Sequence, residues 1–221
     1  LLNYRQDFSK HIPGNLLTKV NLVWDSVPAQ LAKENKKFIY GMLKKGGRAK
    51  EFEDAIQWLV DAGLVFRVNR INKVCMPLKF YEEFNAFKLY LLDLGLLGAM
   101  VDAPAKNILI GDNVFKEYKG AFTEQYVAQQ IVACNVTPKY YNNENSTNEI
   151  VVQLGNVYPI EVKAEENLKS KSMNTLLNEN EDMEGWKFSM STYRTFKQVV
   201  NIPLYDVDEW ILMYKEKMLE I

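Results

Sequence analysis

The sequence predicts an α/β protein in two parts, a winged helix-turn-helix over residues 1–84 and an α/β domain over 85–221. Two patterns predict this. Helical apolar periods followed by a short hairpin fill the first part. A long helical stretch followed by short, turn-separated extended runs fills the second. The 221 residues leave room for one large domain or two small ones, domains running to ~100–200 residues. With 48% hydrophobic and 12% aromatic residues the chain can bury a core, which excludes disorder as its overall state.

Taken in order, residues 15–34 carry Leu16, Val20, Val23, Trp24, Val27 and Leu31 at helical spacing, with a break expected at Ser26-Val27-Pro28. "NKKFIYGMLKKGG" (35–47) predicts a second helix capped by Gly46-Gly47. "AKEFEDAIQWLVDAGLV" (49–65) predicts a third, with Phe52, Ala55, Ile56, Leu59 and Val60 on its apolar face and Gly63 closing it. "VFRVNRINKVCMPL" (65–78) then gives two short extended runs about Arg70–Lys73. Three helices and a hairpin follow the order of a winged helix-turn-helix, the third helix being the recognition-like element and 65–78 the wing. "LYLLDLGLLGAMV" (89–101) is interrupted by Asp93 and two glycines, so it predicts a buried core segment rather than a membrane span. The domain boundary is expected within 80–112.

The second part opens with "NVFKEYKGAFTEQYVAQQIVACN" (113–135), a long amphipathic helix carrying Phe115, Tyr118, Phe122, Tyr126, Val127 and Ile131. "KYYNN", "EIVVQL" and "VYPIEVKA" predict strands, with "NENSTN" (143–148) as a turn or loop. A helix around Ser172–Asn178 and a strand at "WKFSMST" (186–192) follow, leading to "NIPLYDVDEWI" near the end.

A net charge of −1 and a pI near 6.0 exclude a wholly basic nucleic-acid binder but not a local basic patch. Cys75 and Cys134 lie far apart in apolar surroundings, and two buried free thiols in a reducing cytoplasm are expected. The single histidine, His11, excludes a multi-histidine metal site. There is no signal-peptide pattern and no apolar run of membrane length. A cytoplasmic protein is expected, and the opening "LLNYRQDFSKHIP" suggests a fragment of a longer chain.

Three stretches bear on chemistry. "GMLKKGGR" (41–48) has glycines at phosphate-loop spacing, but Gly47 and Arg48 stand where that loop needs a lysine and a hydroxyl residue, so a helix end is the better reading. Lys33, Lys36, Lys37, Lys44, Lys45, Arg48 and Lys50 form a basic cluster, of which Lys36, Lys37, Lys44, Lys45 and Arg48 are candidate phosphate contacts. Two readings stand there: DNA contact, or a solvated helix face. Glu51, Glu53 and Asp54 suit a helix start but would repel DNA at the groove. The third stretch is Glu161-Val162-Lys163. On a strand the glutamate and lysine share one face while Ile160 and Val162 enter the core. Mg²⁺-dependent hydrolysis needs carboxylates to hold the ion and a lysine to steady phosphate charge. The pair supplies part of that set, with Glu161 the candidate metal ligand. A solvent-facing pair at a strand edge is the other reading. A second carboxylate must come from a neighbouring strand, where Glu149 precedes Val151 and Val152. Glu124 is a third candidate, from the preceding helix.

The stretches "DFSKHIP", "SVPAQLAKENKKFIYG", "GRAKEFEDAIQWLVDAGLV", "FKLYLLDLGLLGAM", "YKGAFTEQYV" and "PIEVKAEENLKSKS" occur in this order between Asp7 and Tyr205. Together they resemble the C-terminal domain of unknown function found behind the ATPase module of bacterial and archaeal AAA-type ATPases. The resemblance implies a winged helix followed by a restriction-endonuclease-like domain similar to the PD-(D/E)xK nucleases and archaeal Holliday-junction resolvases. It assigns Glu124 to the helix glutamate and Glu161 with Lys163 to the Glu-x-Lys pair. The strand before that pair departs from the family's pattern: Glu149-Ile150 runs directly into Val151-Val152, and the aspartate ligand is missing. Glu149 replaces it only if the strand slips by one residue, which would turn its apolar face outward.

The expected function is therefore an accessory module of an ATP-binding AAA-type protein that recognises nucleic acid or a partner and carries a degenerate nuclease-like site. A Mg²⁺-dependent DNA endonuclease and a protein-binding or oligomerising module are the alternatives. Mg²⁺ enters only if the site is active. The expected partners are the ATPase module of the same protein and DNA, with oligomers allowed and no membrane.

Overall fold

In the computed structural model, residues 1–33, 37–103, 116–143, 146–164 and 171–219 are described. Among them no helix is long and apolar enough to cross a membrane. The chain forms two compact units, Leu1–Arg67 with Lys88–Tyr118, and Val68–Phe87 with Lys119–Ile221. It thus passes between units at three points, and the expected 84/85 boundary falls inside a strand, Glu82–Leu91.

The first unit contains α1 (Leu2–His11), α2 (Gly14–Leu31), α3 (Ala49–Asp61) and α4 (Leu94–Met100). Phe8 of α1 meets Trp24 edge-on at 5.5 Å and Trp58 edge-on at 5.6 Å, which packs the first three helices together. α3 buries Phe52, Ala55, Ile56 and Leu59, the apolar face its sequence spacing predicts. Two expectations are corrected. The helix does not break at Ser26-Val27-Pro28, because α2 runs through Pro28 to Leu31. A proline inside a helix costs roughly 3 kcal/mol. Burying one large apolar side chain returns about 1.5–3 kcal/mol, and α2 buries Val23, Trp24, Val27 and Leu31 around that proline.

The predicted second helix is also absent. Residues 37–39 have no helical structure and only Tyr40–Met42 form a single 3₁₀ turn. The cause is Gln30, whose side-chain oxygen accepts from the Ile39 amide at 2.9 Å while its amide donates to the Ile39 carbonyl at 3.0 Å. A buried amide bonded to both backbone groups of one residue acts as a strand neighbour, so the backbone there stays extended. Gly47 then comes so close to the Tyr40 carbonyl that a Cβ would lie 2.7 Å from it.

The strands are β1 (Val65–Ile71), β2 (Glu82–Leu91), β3 (Lys139–Asn143), β4 (Ser146–Leu154), β5 (Asn156–Val162), β6 (Gly185–Ser189), β7 (Arg194–Phe196) and β8 (Val199–Pro203). Their order in one sheet is β2-β1-β3-β4-β5-β6-β8-β7. The hairpin differs from the expected 65–78 wing, since its second strand is β2. Residues 74–78 instead fold over the sheet. Leu78 and Val74 pack with Ile71, Val151, Val157 and Leu176, and the Leu78 amide donates to the Gln153 side-chain oxygen at 2.9 Å. Pro77 in that run has no N–H to give to a ladder.

The second unit begins with α5 (Lys116–Ala133), which enters at Lys119. β3, β4 and β5 form an antiparallel meander. α6 (Lys171–Asn178) then carries the chain to β6, which pairs parallel with β5, as a crossover must. α7 (Val207–Leu219) closes the chain. On one face of β5 and β6, Tyr158 stacks on Trp186 at 4.2 Å and Tyr214 of α7 meets Trp186 at 4.6 Å. On the other, Gly185 lies against α6, where a Cβ would stand 2.7 Å from the Met173 sulfur. The parts of the expected helix at 113–115, of the loop at 144–145 and of the motif at 165–170 lie outside the described residues. Cys134 is a buried free thiol as expected; Cys75 is free but only half-buried.

Candidate functional site

β5 is an interior strand, between β4 and β6, so Glu161 is not at a solvent edge. Its side chain is 6% exposed, and Lys163, two residues on, reaches back to donate to its Oε1 at 2.9 Å. The expected sharing of one face is met, and the solvated strand-edge reading is overturned for Glu161. Its second oxygen, Oε2, is buried and has no hydrogen-bond partner among the described residues.

The ladder register extends this pair into a row. Val151 of β4 pairs with Pro159 of β5, so by alternation Glu149 and Glu161 lie on one face of the sheet. Glu161 pairs with Lys187 on β6, and Lys187 with Asn201 on β8. Residues directly opposite on neighbouring strands share a face. Glu149, Glu161, Lys187 and Asn201 therefore form one polar line across four strands, and Lys163 joins it by alternation. All four members of the line are buried. Glu149 takes its place with no slip of the strand, because Val151, two residues away on the same face, is covered by Ile71, Leu78 and Leu176.

Lys187 brings a second ammonium into the line. Burial pushes its pKa down, the Glu161 carboxylate draws it back up, and the Lys163 ammonium adds to the depression. Asn201 is held by its neighbours: its Oδ1 accepts from the Ser189 hydroxyl at 2.7 Å, and its amide donates to the Thr192 carbonyl at 2.9 Å. Glu124 is buried on α5, yet it does not complete a three-carboxylate site. Among the described residues no group of three or more His, Cys, Asp or Glu side chains is placed to hold a metal ion. Sequence reasoning missed Lys187 and Asn201. The signal for Lys187 was a lysine inside the apolar run "WKFS", where a charge is expensive unless paired.

The basic cluster belongs to the first unit. Lys33, Lys44, Lys45, Arg48 and Lys50 are exposed, Lys37 is half-buried, and Lys36 lies outside the described residues. Of the acids expected to repel DNA, Glu53 is already engaged: Arg67 pairs with its Oε1, and the Tyr40 hydroxyl donates to its Oε2 at 2.8 Å. Burial, then that hydrogen bond, push the Tyr40 pKa up. Asp54 remains exposed.

Residues 1–107 match the family described as Domain of unknown function (DUF8612), and residues 119–205 match Domain of unknown function (DUF4143). The second match begins where the chain finally enters the second unit, and it contains Glu124 and the whole polar line. No curated protein and no solved structure matches the chain significantly.

Proposed function

We propose that this chain is the nucleic-acid recognition module of a larger AAA-type ATP-binding protein, with a winged-helix segment and a PD-(D/E)xK-like domain whose metal site has become an internal charge network. The observation that carries this reading is the setting of Glu161 between two lysines, Lys163 just past the end of β5 in an ion pair with it and Lys187 opposite it on β6. Mg²⁺ binds through one or two carboxylates with open positions for water and phosphate oxygens. Here a cation would have to displace the Lys163 ammonium from Oε1 and sit beside the buried Lys187 ammonium. Like charges repel most strongly where water is excluded. Glu149 and Glu161 supply the right atom type, but the two lysines already supply the counter-charge, so the residues do not fit a resident metal. The helix, three antiparallel strands, helix and parallel strand of the second unit support the nuclease-like ancestry.

The recognition role rests on the exposed Lys44, Lys45 and Arg48 of the first unit, next to a helix whose Glu53 is neutralised. Phosphate contacts of that kind release counter-ions, so binding weakens as salt rises. One observation favours the alternative, a Mg²⁺-dependent endonuclease using Glu124, Glu149, Glu161 and Lys163: the unpartnered Oε2 of Glu161. A single assay separates the two. Plasmid, linear and branched DNA are incubated with the chain in Mg²⁺ or Mn²⁺, beside Glu161→Ala, and binding is followed across a salt series. Salt-sensitive binding without cleavage is expected. Cleavage that disappears in Glu161→Ala would replace this reading with the endonuclease. Neither cleavage nor binding would leave a protein-binding module.

A further inference from the structure

The second unit has a groove of about 500 Å³ away from the polar line. Its floor is apolar, from Leu154 and Met218, and its rim carries Lys79, Lys139, Lys215 and Phe84, with Glu82 as the one acid among its described lining residues. That acid is spent. Glu82 accepts from Lys139 at 2.8 Å and from the Asn69 amide at 2.5 Å; burial acts to raise its pKa, but those hydrogen bonds outweigh it and hold the carboxyl below its usual range. The neighbouring Glu83 is paired with Arg70. The Lys215 ammonium donates to a neutral group, the Cys134 carbonyl, at 2.8 Å. Lys79 and Lys215 form no ion pair among the described residues, so the charge the groove presents is positive.

Phe84 lines the groove, and Phe80 follows Lys79 in the chain although it is not itself among the lining residues. Phe80 is 83% exposed and Phe84 70% exposed. One exposed apolar side chain is ordinary, but two phenylalanines four residues apart, beside lysines that form no ion pair among the described residues, are a pattern. Their backbone is not loose. Leu78 anchors the 3₁₀ turn Leu78–Tyr81 by burying its side chain and by its bond to Gln153, which leaves Lys79 and Phe80 facing out. Rings on a pinned turn beside cations suit a ligand with flat apolar faces on an anionic thread.

We infer that this groove binds single-stranded nucleic acid, with Phe80 and Phe84 as stacking faces for unpaired bases and Lys79 and Lys215 at the phosphates. The inference rests on the nucleic-acid reading above and narrows it, since a duplex keeps its bases stacked internally and offers these rings nothing. A protein segment would also cover apolar rings, but three lysines against one acid among the groove's described lining residues favour an anionic thread.

The test is fluorescence anisotropy on the whole chain with labelled oligo-deoxythymidine and, separately, a labelled duplex. Phe80→Ala/Phe84→Ala should weaken single-strand binding about tenfold or more per ring, with duplex binding and the salt dependence unchanged. Lys79→Ala/Lys215→Ala should lower the slope of log affinity against log salt by about 0.7 for each phosphate that is no longer neutralised. Phe80→Trp/Phe84→Trp should retain single-strand binding, which separates a missing stacking face from a damaged fold. Unchanged single-strand binding in the alanine pair, with salt-sensitive duplex binding intact, would overturn the stacking groove and leave the recognition reading standing. No binding of either oligonucleotide by the unmodified chain would remove both.

Discussion

Lys187 stands directly across the β5–β6 ladder from Glu161, both buried, and Glu161 is one strand away from Glu149 on the same face. A buried ammonium and a buried carboxylate in register make each other tolerable, and neither would be stable alone.

Removing either partner should therefore cost more than removing both. Glu161→Gln and Lys187→Met are each expected to destabilise the chain by about 3 kcal/mol, and the double variant by clearly less than the sum, with a coupling of roughly 1–3 kcal/mol. Urea unfolding of the four proteins at neutral pH measures this. Additive effects would mean that Glu161 is balanced by Lys163 alone.

The Lys139–Glu82 pair should behave similarly, since its two side chains are only 13% and 6% exposed. Lys139→Met is expected to cost about 3 kcal/mol because it strands a buried carboxylate. Its penalty should shrink as the pH falls. The folded-state pKa of Glu82 is depressed, so the stability it contributes is present above its unfolded value and lost as the pH drops through the folded one. Melting temperatures of both proteins from pH 7 down to pH 3 check this.

Tyr140 sets an alkaline limit. Burial pushes its pKa up to about 12, with Arg70 opposing and Glu83 adding to the rise. The unfolded chain then loses the phenolic proton first, near pH 10. The contribution is fully present below that and disappears as the pH climbs through the folded value. At pH 11.5 the native chain should have lost about 2 kcal/mol through this residue, a loss missing from Tyr140→Phe. Between pH 8 and 11.5 the urea midpoint of the unmodified protein should fall further than that of Tyr140→Phe; parallel curves would assign the alkaline loss to other tyrosines.

Pro28 is the cheapest place to gain stability. Its missing N–H leaves one α2 carbonyl without its helical donor, and the residue is only half-buried. Pro28→Ala should stabilise the chain by about 1–3 kcal/mol, or about 2–4 °C of melting temperature for each kcal/mol. A fall in melting temperature would show that the ring packs better than its position suggests.

How much of this is legible in the sequence follows the range of the forces involved. Periodic patterns are local, so "EFEDAIQWL" announces the buried face of α3 and "VYPIEVKA" announces β5 with Glu161 and Lys163 on one side. α1 and α7 are not legible in the same way, because "LNYRQDFSKH" and "VDEWILMYKEKML" bury so few residues that their spacing hardly departs from a polar segment. The second helix fails for a different reason. The spacing of Phe38, Met42 and Leu43 fits a helix, but Gln30, nine residues earlier, bonds to both backbone groups of Ile39 and holds the segment open.

The sequence by itself determined the apolar face of α3, the strands β3 to β5 and the presence of a Glu-x-Lys pair, because each depends on neighbours within a turn or a pleat. Only the tertiary structure decided what that pair means. Strand register put Glu149 and Glu161 on one face, and the parallel pairing of β5 with β6 set Lys187 opposite Glu161. Register is a property of two strands and not of either one, so the charge that answers Glu161 could come only from residues far away in the chain.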